Sequence, residues 1–438
     1  MKQAHSEYDR MSKAPVPRLL LSLALPAMSS MLLTSLCSLV ETFLVADMGA
    51  ESTAAVGVVF PLSALIQATG FTLGMGGGSL ISLYLGKSQV DDASHIAATS
   101  FYLSLLVGIL IAACLFWQDP LLQLLGAGDA VLPNAKAYSF FLFLAAPFMT
   151  ASFCLSHLLR GEGKTLTALK AAAVSSSVFL LLAYLLRNWI GIQGISLATL
   201  LSQAICLFLL LRAYRPKKQG LSLRPCRPYR TGSILLTGSP SLLRQGLVCL
   251  SAILLNRHAA AFGDETVAAL SISGKLFLLV FTLMLGYAQG LQPLLGFNYA
   301  QGKMDRMKKA SLFCLWTGTT ACFLFGILAF LLAPWLVSFF TMDEQVKEIA
   351  IFSLRAGALI MPLLPCSSIT NLAYQAIKRP FTASFLASTR QGIFFIPFLL
   401  LLPGLFGVQT AQAFADSATF LLSLPFFIHF LRRSIQPK

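Results

Sequence analysis

Long apolar runs, separated by short polar segments, dominate the chain and predict helices that cross a membrane. A helix needs about 20 mostly apolar residues to span a bilayer. Twelve segments of the 438-residue sequence meet that requirement. The expected fold class is therefore an all-α membrane protein with about 12 transmembrane helices. The predicted helices are 17–46, 52–84, 93–117, 135–158, 165–187, 191–213, 232–260, 266–298, 309–333, 347–374, 381–403 and 408–431.

The composition agrees with a protein embedded in lipid. Hydrophobic residues make up 56% and charged residues 11% of the chain, and the mean hydropathy is +0.76, whereas soluble domains contain about 25% charged residues. The first apolar segment is too long for the core of a cleaved signal peptide. The nine cysteines form no C-x-x-C pair and the five histidines are isolated, so we expect neither a disulfide framework nor a metal site.

The distribution of positive charge predicts the orientation in the membrane. The formal net charge is +15, and 24 of the 32 Lys and Arg residues fall in the tails and in loops on one side of the predicted helices. Cationic loops stay on the cytoplasmic side, which predicts a multi-pass protein of the bacterial cytoplasmic (inner) membrane with both termini cytoplasmic. Membrane lipid is then the expected partner, and nucleic acid is excluded because topology explains the charge.

An internal repeat divides the predicted helices into two halves. Sliding the sequence by 214 positions aligns Pro26 with Pro240 and Gly76 with Gly290. Because six helices precede the repeat, both halves enter from the same side, and we expect a pseudo-two-fold axis along the membrane normal. The predicted domains are an N-terminal six-helix bundle (1–213), a basic cytoplasmic linker (214–231) and a C-terminal six-helix bundle (232–438).

Helix-breaking residues at equivalent places of two halves indicate a moving or binding region. We therefore predict hinge positions at the two matched pairs, although each residue could simply kink or pack its own helix. The predicted hinge residues are Pro26, Pro240, Gly76 and Gly290.

Two acids, Glu41 and Asp416, lie well inside predicted helices. A buried ionisable group costs roughly 2.5–3.5 kcal/mol at the centre of a membrane helix and is by default a functional hypothesis. For Glu41 the hypothesis is exchange of a coupling ion, and the alternative is a solvated side chain near the helix end. For Asp416 we favour a structural pair with a buried cation.

Four cations also lie at membrane depth, and their role stays open between helix-to-helix contacts and a substrate cavity. They are Arg244, Lys275, Arg355 and Arg390. The sequence contains no Walker motif and no nucleophile–base arrangement, so we expect an ion gradient to supply the energy, no cofactor other than the coupling ion, and no enzymatic activity.

Several motifs resemble the multidrug and toxic compound extrusion (MATE) transporters of bacteria. The segment from Leu19 through Pro26 to Val40-Glu41-Thr42 is similar to the first helix of that family, in which Val-Asp-Thr is usual. The segment 290–299, with Gln292 and Pro293, resembles the Gly-x-Gln-Pro signature. Further similar segments are Arg160-Gly-Glu-Gly163, Gly191-Ile-Gln-Gly194, Arg244-Gln245 and Arg390-Gln-Gly-Ile393.

The resemblance implies two six-helix bundles that exchange protons or sodium for organic compounds by alternating access. The fifth-helix Asn and Asp of the family correspond to Ser177 and Leu181, so a second acid is missing and protons are favoured over sodium. The expected ion-coupling residues are Glu41, Thr42 and Ser177. The expected cavity residues are Gln67, Arg244, Gln245, Asn256, Gln292, Asn298 and Arg390.

The sequence thus predicts a secondary-active antiporter that exports small amphipathic or cationic compounds in exchange for protons (or sodium). The alternative is a flippase or exporter of lipid-linked or anionic precursors, which the membrane-depth cations would favour if they lined a central cleft. A non-transporting membrane scaffold is less favoured. The identity of the substrate is not encoded in any motif, and the oligomeric state is open, with a monomer favoured.

Overall fold

The structure is a computed structural model that describes residues 9–214, 221–225 and 227–432. Within these residues, twelve helices are long and apolar enough to cross a membrane, so the predicted helices are confirmed. They are α1 Val16–Ala46, α2 Glu51–Gly86, α3 Val90–Leu124, α4 Leu132–Gly161, α5 Thr165–Ile190, α6 Ile192–Ala213, α7 Thr231–Ala260, α8 Asp264–Ala300, α9 Met304–Ser338, α10 Glu344–Ala376, α11 Pro380–Leu401 and α12 Gly404–Arg432.

Three helices contain a local change of helical pitch. In α3 a 3-10 turn covers Cys114–Trp117, and in α10 another covers Met361–Leu363 around Pro362. In α11 a π-helical turn covers Thr389–Phe394. Proline removes a backbone hydrogen bond and so explains the break in α10. The π-helical turn of α11 is followed three residues later by Pro397, and such turns are often found at functional sites.

The described residues form two compact units, and the first helix of each sequence half contributes to both. One unit contains 9–14 and 29–242, and the other contains 15–28 and 243–432. The helix α1 therefore starts in the second unit and continues in the first from residue 29, shortly after Pro26. The helix α7 starts in the first unit and continues in the second from residue 243, shortly after Pro240.

In the first unit, the start of α7 packs directly on α2. A Cβ atom added at Gly76 would overlap the backbone carbonyl of Ile234, and one added at Gly238 would overlap the carbonyl of Thr72. The two backbones approach each other at both positions because neither glycine has a side chain. This contact explains why the start of α7 belongs to the first unit.

The second unit contains the equivalent contact between α1 and α8. A Cβ atom at Gly290 would overlap Ala24, and one at Gly286 would lie 2.8 Å from the Cα of Met28. The repeat also extends to the helix starts: Gly49 and Gly263 precede α2 and α8 with the same φ of 103°, a left-handed conformation that favours glycine. The sequence repeat thus corresponds to a repeated packing arrangement.

The described part of the predicted linker lies against α3. The amide of Tyr229 donates a hydrogen bond to Thr99 Oγ1 at 3.0 Å, and its hydroxyl donates to Asp92 Oδ1 at 2.7 Å. Farther back, the amide of Ser222 donates to Ser94 Oγ at 3.3 Å. Residues 215–220 and 226 of the linker lie outside the described residues. The linker is therefore attached to the first unit, at the start of its third helix.

Candidate functional site

The membrane acid of the first unit, Glu41, is held by a tyrosine. The hydroxyl of Tyr138 on α4 donates a hydrogen bond to Glu41 Oε1 at 2.7 Å. Tyr138 is buried, and Glu41 on α1 is half-buried. No salt bridge joins Glu41 to a cation within the described residues. The carboxyl group is therefore stabilised by a neutral donor.

This neutral pair suits a group that gains and loses a proton. A tyrosine hydroxyl can donate to a carboxylate and can also accept from a protonated carboxyl group. The pair stays hydrogen-bonded in both protonation states, and protonation of Glu41 leaves no buried cation without its counter-charge. No sequence pattern indicated Tyr138, because only the folded arrangement of α1 and α4 brings it to Glu41.

The two other residues predicted to act with Glu41 are not assembled around it. The hydroxyl of Thr42 donates to the backbone carbonyl of Ser38 at 2.9 Å, within its own helix. Ser177 on α5 is exposed and makes no hydrogen bond to Glu41. Leu181, the position of the missing second acid, is 60% exposed. In the described structure, Tyr138 is the hydrogen-bond partner of Glu41.

The membrane acid of the second unit, Asp416, forms an ion pair. Arg390 Nε donates to Asp416 Oδ1 at 2.6 Å, and Arg390 Nη2 donates to Oδ2 at 3.3 Å. The side chain of Asp416 on α12 is 1% exposed, and that of Arg390 on α11 is 14% exposed. Two parallel hydrogen bonds fix the plane of the guanidinium relative to the carboxylate.

Arg390 lies on the π-helical turn of α11 and contacts a phenylalanine. Its guanidinium carbon lies 3.8 Å from the ring centroid of Phe281 on α8, a cation–π geometry. Arg244 on α7 is half-buried and lies close enough to interact electrostatically with Arg390. Its neighbour Gln245 is also half-buried. Of the predicted cavity residues, Arg390 is thus joined to Asp416, and Arg244 lies on α7 in the same unit.

The remaining membrane-depth cations have separate surroundings. Lys275 on α8 is exposed. Arg355 on α10 donates to the backbone carbonyl of Phe330 at 3.3 Å and lies over the ring of the same residue. That contact joins α10 to α9, a helix-to-helix role. The four cations therefore do not form one cluster.

The other predicted cavity residues are distributed over both units. Gln67 on α2 is half-buried in the first unit, and Asn256 on α7 is exposed in the second. Gln292 Nε2 donates to Gln375 Oε1 at 3.3 Å, which links α8 to α10. Asn298 Nδ2 donates to the backbone carbonyl of Leu294 at 2.8 Å. The contact of Gln292 joins two helices, whereas that of Asn298 lies within α8.

A metal site is not assembled in the part of the chain that the structure describes, where no three His, Cys, Asp or Glu side chains converge. At the two membrane acids, the described residues therefore supply a carboxyl group held by a neutral hydroxyl in the first unit and an arginine–aspartate ion pair in the second.

Comparison with known proteins identifies relatives along almost the whole chain. The MatE family model matches residues 26–185 and 240–401, two segments that begin 214 residues apart, as the internal repeat does. Multidrug export protein MepA of Staphylococcus saprophyticus is 24% identical over 404 residues, which cover 90% of this chain and 89% of MepA. MepA of Staphylococcus aureus strain MRSA252 is 24% identical over 406 residues, with the same coverage.

Solved structures show the same fold. The outward-facing conformation of a multidrug resistance MATE family transporter of the MOP superfamily has a TM-score of 0.91 at 24% identity, covering 96% of this chain and 97% of that one. A crystal structure of MATE in complex with MaD3S has a TM-score of 0.89 at 25% identity, covering 97% and 99%.

Proposed function

Because the chain belongs to the MatE family, the multidrug and toxic compound extrusion transporters, we propose that it exports small amphipathic or cationic compounds in exchange for protons. Multidrug export is what the two MepA relatives are named for. Sodium is the alternative coupling ion. The proposed location is the bacterial cytoplasmic membrane, with both termini cytoplasmic as the positive-inside rule predicts.

The observation that carries the proposal is the environment of Glu41. Its carboxyl group is hydrogen-bonded to the neutral hydroxyl of Tyr138, and it lies within a helix long and apolar enough to cross the membrane. An acid without a paired cation can be discharged by a proton without leaving a second charge uncompensated. Glu41 is thus the acid of this chain best suited to respond to a proton gradient.

Two features favour protons over sodium. A hard monovalent cation needs several oxygen ligands, and the described surroundings of Glu41 supply one hydroxyl bonded to the carboxyl group. The positions that would add further ligands are Ser177 and Leu181, which are exposed. A proton needs only the carboxyl oxygen itself.

In the proposed cycle, protonation of Glu41 favours a conformation with low affinity for the exported compound. Loss of the proton to the cytoplasm restores the conformation with high affinity. A ligand shifts such an equilibrium only by its differential affinity for the two states, so the proton and the organic cation must compete for the same conformational equilibrium. Alternating access then couples inward proton flow to outward export.

Ethidium efflux from vesicles containing the purified protein tests this proposal. An imposed proton gradient is expected to drive efflux, and an imposed sodium gradient is not. Glu41→Gln keeps the size of the side chain but cannot ionise, so it should abolish proton-driven efflux. Glu51→Gln is the matched control, because Glu51 is exposed at the start of α2. Undiminished efflux by Glu41→Gln would overturn the proposal. Efflux driven by the sodium gradient would show that sodium, and not the proton, is the coupling ion.

The flippase alternative depends on the membrane-depth cations. Lys275 is exposed, Arg355 bonds to a carbonyl of α9, and Arg390 is paired with Asp416. The four cations do not form one cluster that could bind an anionic precursor, so the structure gives the flippase alternative little support.

A further inference from the structure

We propose that the linker between the two sequence halves is a binding site for the headgroups of anionic phospholipids, formed by Arg224 and Arg227 at the surface of the membrane. The site lies outside the machinery of the proposed export function and does not depend on it. Three features support the assignment: the attachment of the linker to the first unit, the depth at which it lies, and two arginines without a counter-charge.

The linker has a fixed position on the first unit. Besides the hydrogen bonds of Tyr229 and Ser222 to α3, the hydroxyl of Tyr102 on α3 donates to the backbone carbonyl of Leu223 at 3.1 Å. The side chain of Leu221 is buried in a hydrophobic cluster of the unit, and those of Leu223 and Tyr229 pack against the same cluster. Apolar side chains thus anchor the linker, whereas the three arginines between residues 221 and 230 are exposed.

The contact with Tyr102 places the linker at the depth of the lipid headgroups. Tyr102, Leu106 and Leu110 follow one another at intervals of four residues and so share one face of α3. Leu106 and Leu110 are 53% and 58% exposed, so this face is the one that meets lipid. Tyrosine side chains of membrane proteins are enriched at the interface between headgroups and hydrocarbon. The carbonyl of Leu223, bonded to Tyr102, lies at that interface, and Arg224 is the next residue.

The length of α3 agrees with this depth. The helix has 35 residues, whereas a span needs about 20. Its first turns contain Asp91, Asp92 and His95, and ionisable residues are rare within the hydrocarbon. The linker bonds to this part of α3 at Ser94 and Asp92. The lipid-facing part of α3 therefore begins near Tyr102, beside the linker.

Two of the exposed arginines have no counter-charge in the protein. Neither Arg224 nor Arg227 forms a salt bridge within the described residues. Arg230, by contrast, donates from Nε to the hydroxyl of Tyr229 at 3.2 Å, and that hydroxyl donates to Asp92. The sequence from 212 to 230 contains seven Lys and Arg and no acid. An anionic ligand would supply the missing counter-charge.

The backbone at these arginines is stiff. Arg224 and Arg227 are each followed by a proline, Pro225 and Pro228, and a residue before proline is restricted to extended conformations. Little backbone freedom is therefore lost when the two side chains bind a ligand.

The depth and the charge together identify the ligand. Guanidinium groups bind phosphate with two parallel hydrogen bonds, and basic residues next to a membrane helix are attracted to anionic lipid. A zwitterionic headgroup carries its own cation, whereas an anionic headgroup has the two arginines as its counter-charge. Because the site lies at the level of the headgroups, we assign it to an anionic phospholipid rather than to an acidic protein.

Binding of single lipids to the purified, delipidated full-length protein tests the site. Native mass spectrometry in detergent gives the affinity for the first lipid bound, with POPG as the anionic probe and POPC as the zwitterionic probe with the same acyl chains. The wild-type protein is expected to bind POPG more tightly than POPC. Arg224→Gln combined with Arg227→Gln should weaken POPG binding by about tenfold and POPC binding by less than about twofold, since only the attraction to an anionic headgroup is lost.

The matched control is Lys308→Gln combined with Lys309→Gln. These lysines lie at the start of α9, the helix that corresponds to α3 in the repeat, and the double variant removes the same charge. It should change POPG affinity by less than about twofold, because the attraction acts only near the basic segment. Since Arg224 and Arg227 are exposed, the thermal unfolding temperature of their double variant should equal that of the wild type.

The site is overturned if the arginine double variant binds POPG as tightly as the wild type, if the lysine control loses as much affinity, or if POPC binding falls equally. Binding of polyglutamate by the wild type, without any preference for POPG over POPC, would also overturn it and assign the linker to an acidic protein partner. The measurement uses no gradient and no Glu41 variant, so its outcome is independent of the transport proposal.

Discussion

The two membrane acids of this protein differ in the partner that holds each of them. Glu41 in the first unit accepts a hydrogen bond from the neutral Tyr138. Asp416 in the second unit accepts two hydrogen bonds from the charged Arg390. Glu41 is half-buried, whereas the side chain of Asp416 is 1% exposed.

This difference separates an acid with a neutral partner from an acid with a charged partner. Loss of Arg390 would leave the buried carboxylate of Asp416 without its counter-charge, which is strongly unfavourable. Protonating Glu41 leaves only a neutral hydrogen-bonded pair. The position of an acid inside a membrane helix therefore indicates a possible function, and the charge of its partner decides which function.

The largest expected effect comes from breaking the ion pair. Arg390→Met should lower the free energy of unfolding by about 3–5 kcal/mol, because Asp416 is then a buried, uncompensated charge. Lys275→Met removes another membrane-depth cation, which is exposed, and should change stability by no more than about 0.5 kcal/mol. Unfolding in mixed micelles with increasing SDS measures both.

Adding Asp416→Leu to Arg390→Met sharpens this result. The double variant should recover much of the lost stability, since replacing both members of a buried pair by apolar residues is often neutral. A double variant as unstable as the sum of the single ones would show that the two side chains do not act as a pair.

The two units can also be compared at their helix crossings. Gly76→Ala in the first unit and Gly290→Ala in the second place a Cβ against the backbone of the crossing helix, and each should cost about 1–3 kcal/mol through overpacking. Gly57→Ala and Gly274→Ala are controls on the same helices, where a Cβ meets nothing within 4 Å. Equal effects at the crossing and control positions in the same unfolding assay would contradict the close approach.

Removing the hydrogen bond to Glu41 is expected to have a smaller effect on stability than the substitutions above. Tyr138→Phe removes the hydroxyl that donates to Glu41 and should lower the free energy of unfolding by about 1 kcal/mol. Proton-driven ethidium efflux should fall several-fold but persist, because the carboxyl group remains. Loss of efflux as complete as that expected for Glu41→Gln would assign the proton exchange to the pair rather than to the acid.

The helices could be predicted from the sequence because lipid imposes a simple rule. A segment in a bilayer must bond its own backbone groups, so length and apolarity suffice to locate the spanning helices. The repeat was visible because Pro26 and Gly76 recur as Pro240 and Gly290. Glu41 and Asp416 stood out because acids are rare at membrane depth.

The sequence did not show which of the four cations pairs with Asp416, nor that Tyr138 bonds to Glu41, since both contacts depend on how the helices pack. Tyr138 lies 97 residues from Glu41, and Arg390 lies 26 residues from Asp416. The π-helical turn that carries Arg390 was not predicted, although Pro397 follows it three residues later on the same helix. Thr42 and Ser177 were predicted as ion-coupling residues from their positions in segments that resemble the family. In the structure, Thr42 bonds within its own helix and Ser177 is exposed.

The most direct test of the central claim is the number of protons released when ethidium binds to the purified protein in weakly buffered detergent solution, followed with a pH indicator. If drug and proton compete through Glu41, the wild-type protein should release up to about one proton per ethidium bound, by linkage, and Glu41→Gln should release none while still binding ethidium. Equal proton release by both proteins, or none by the wild type across the pH range of transport, would contradict the account.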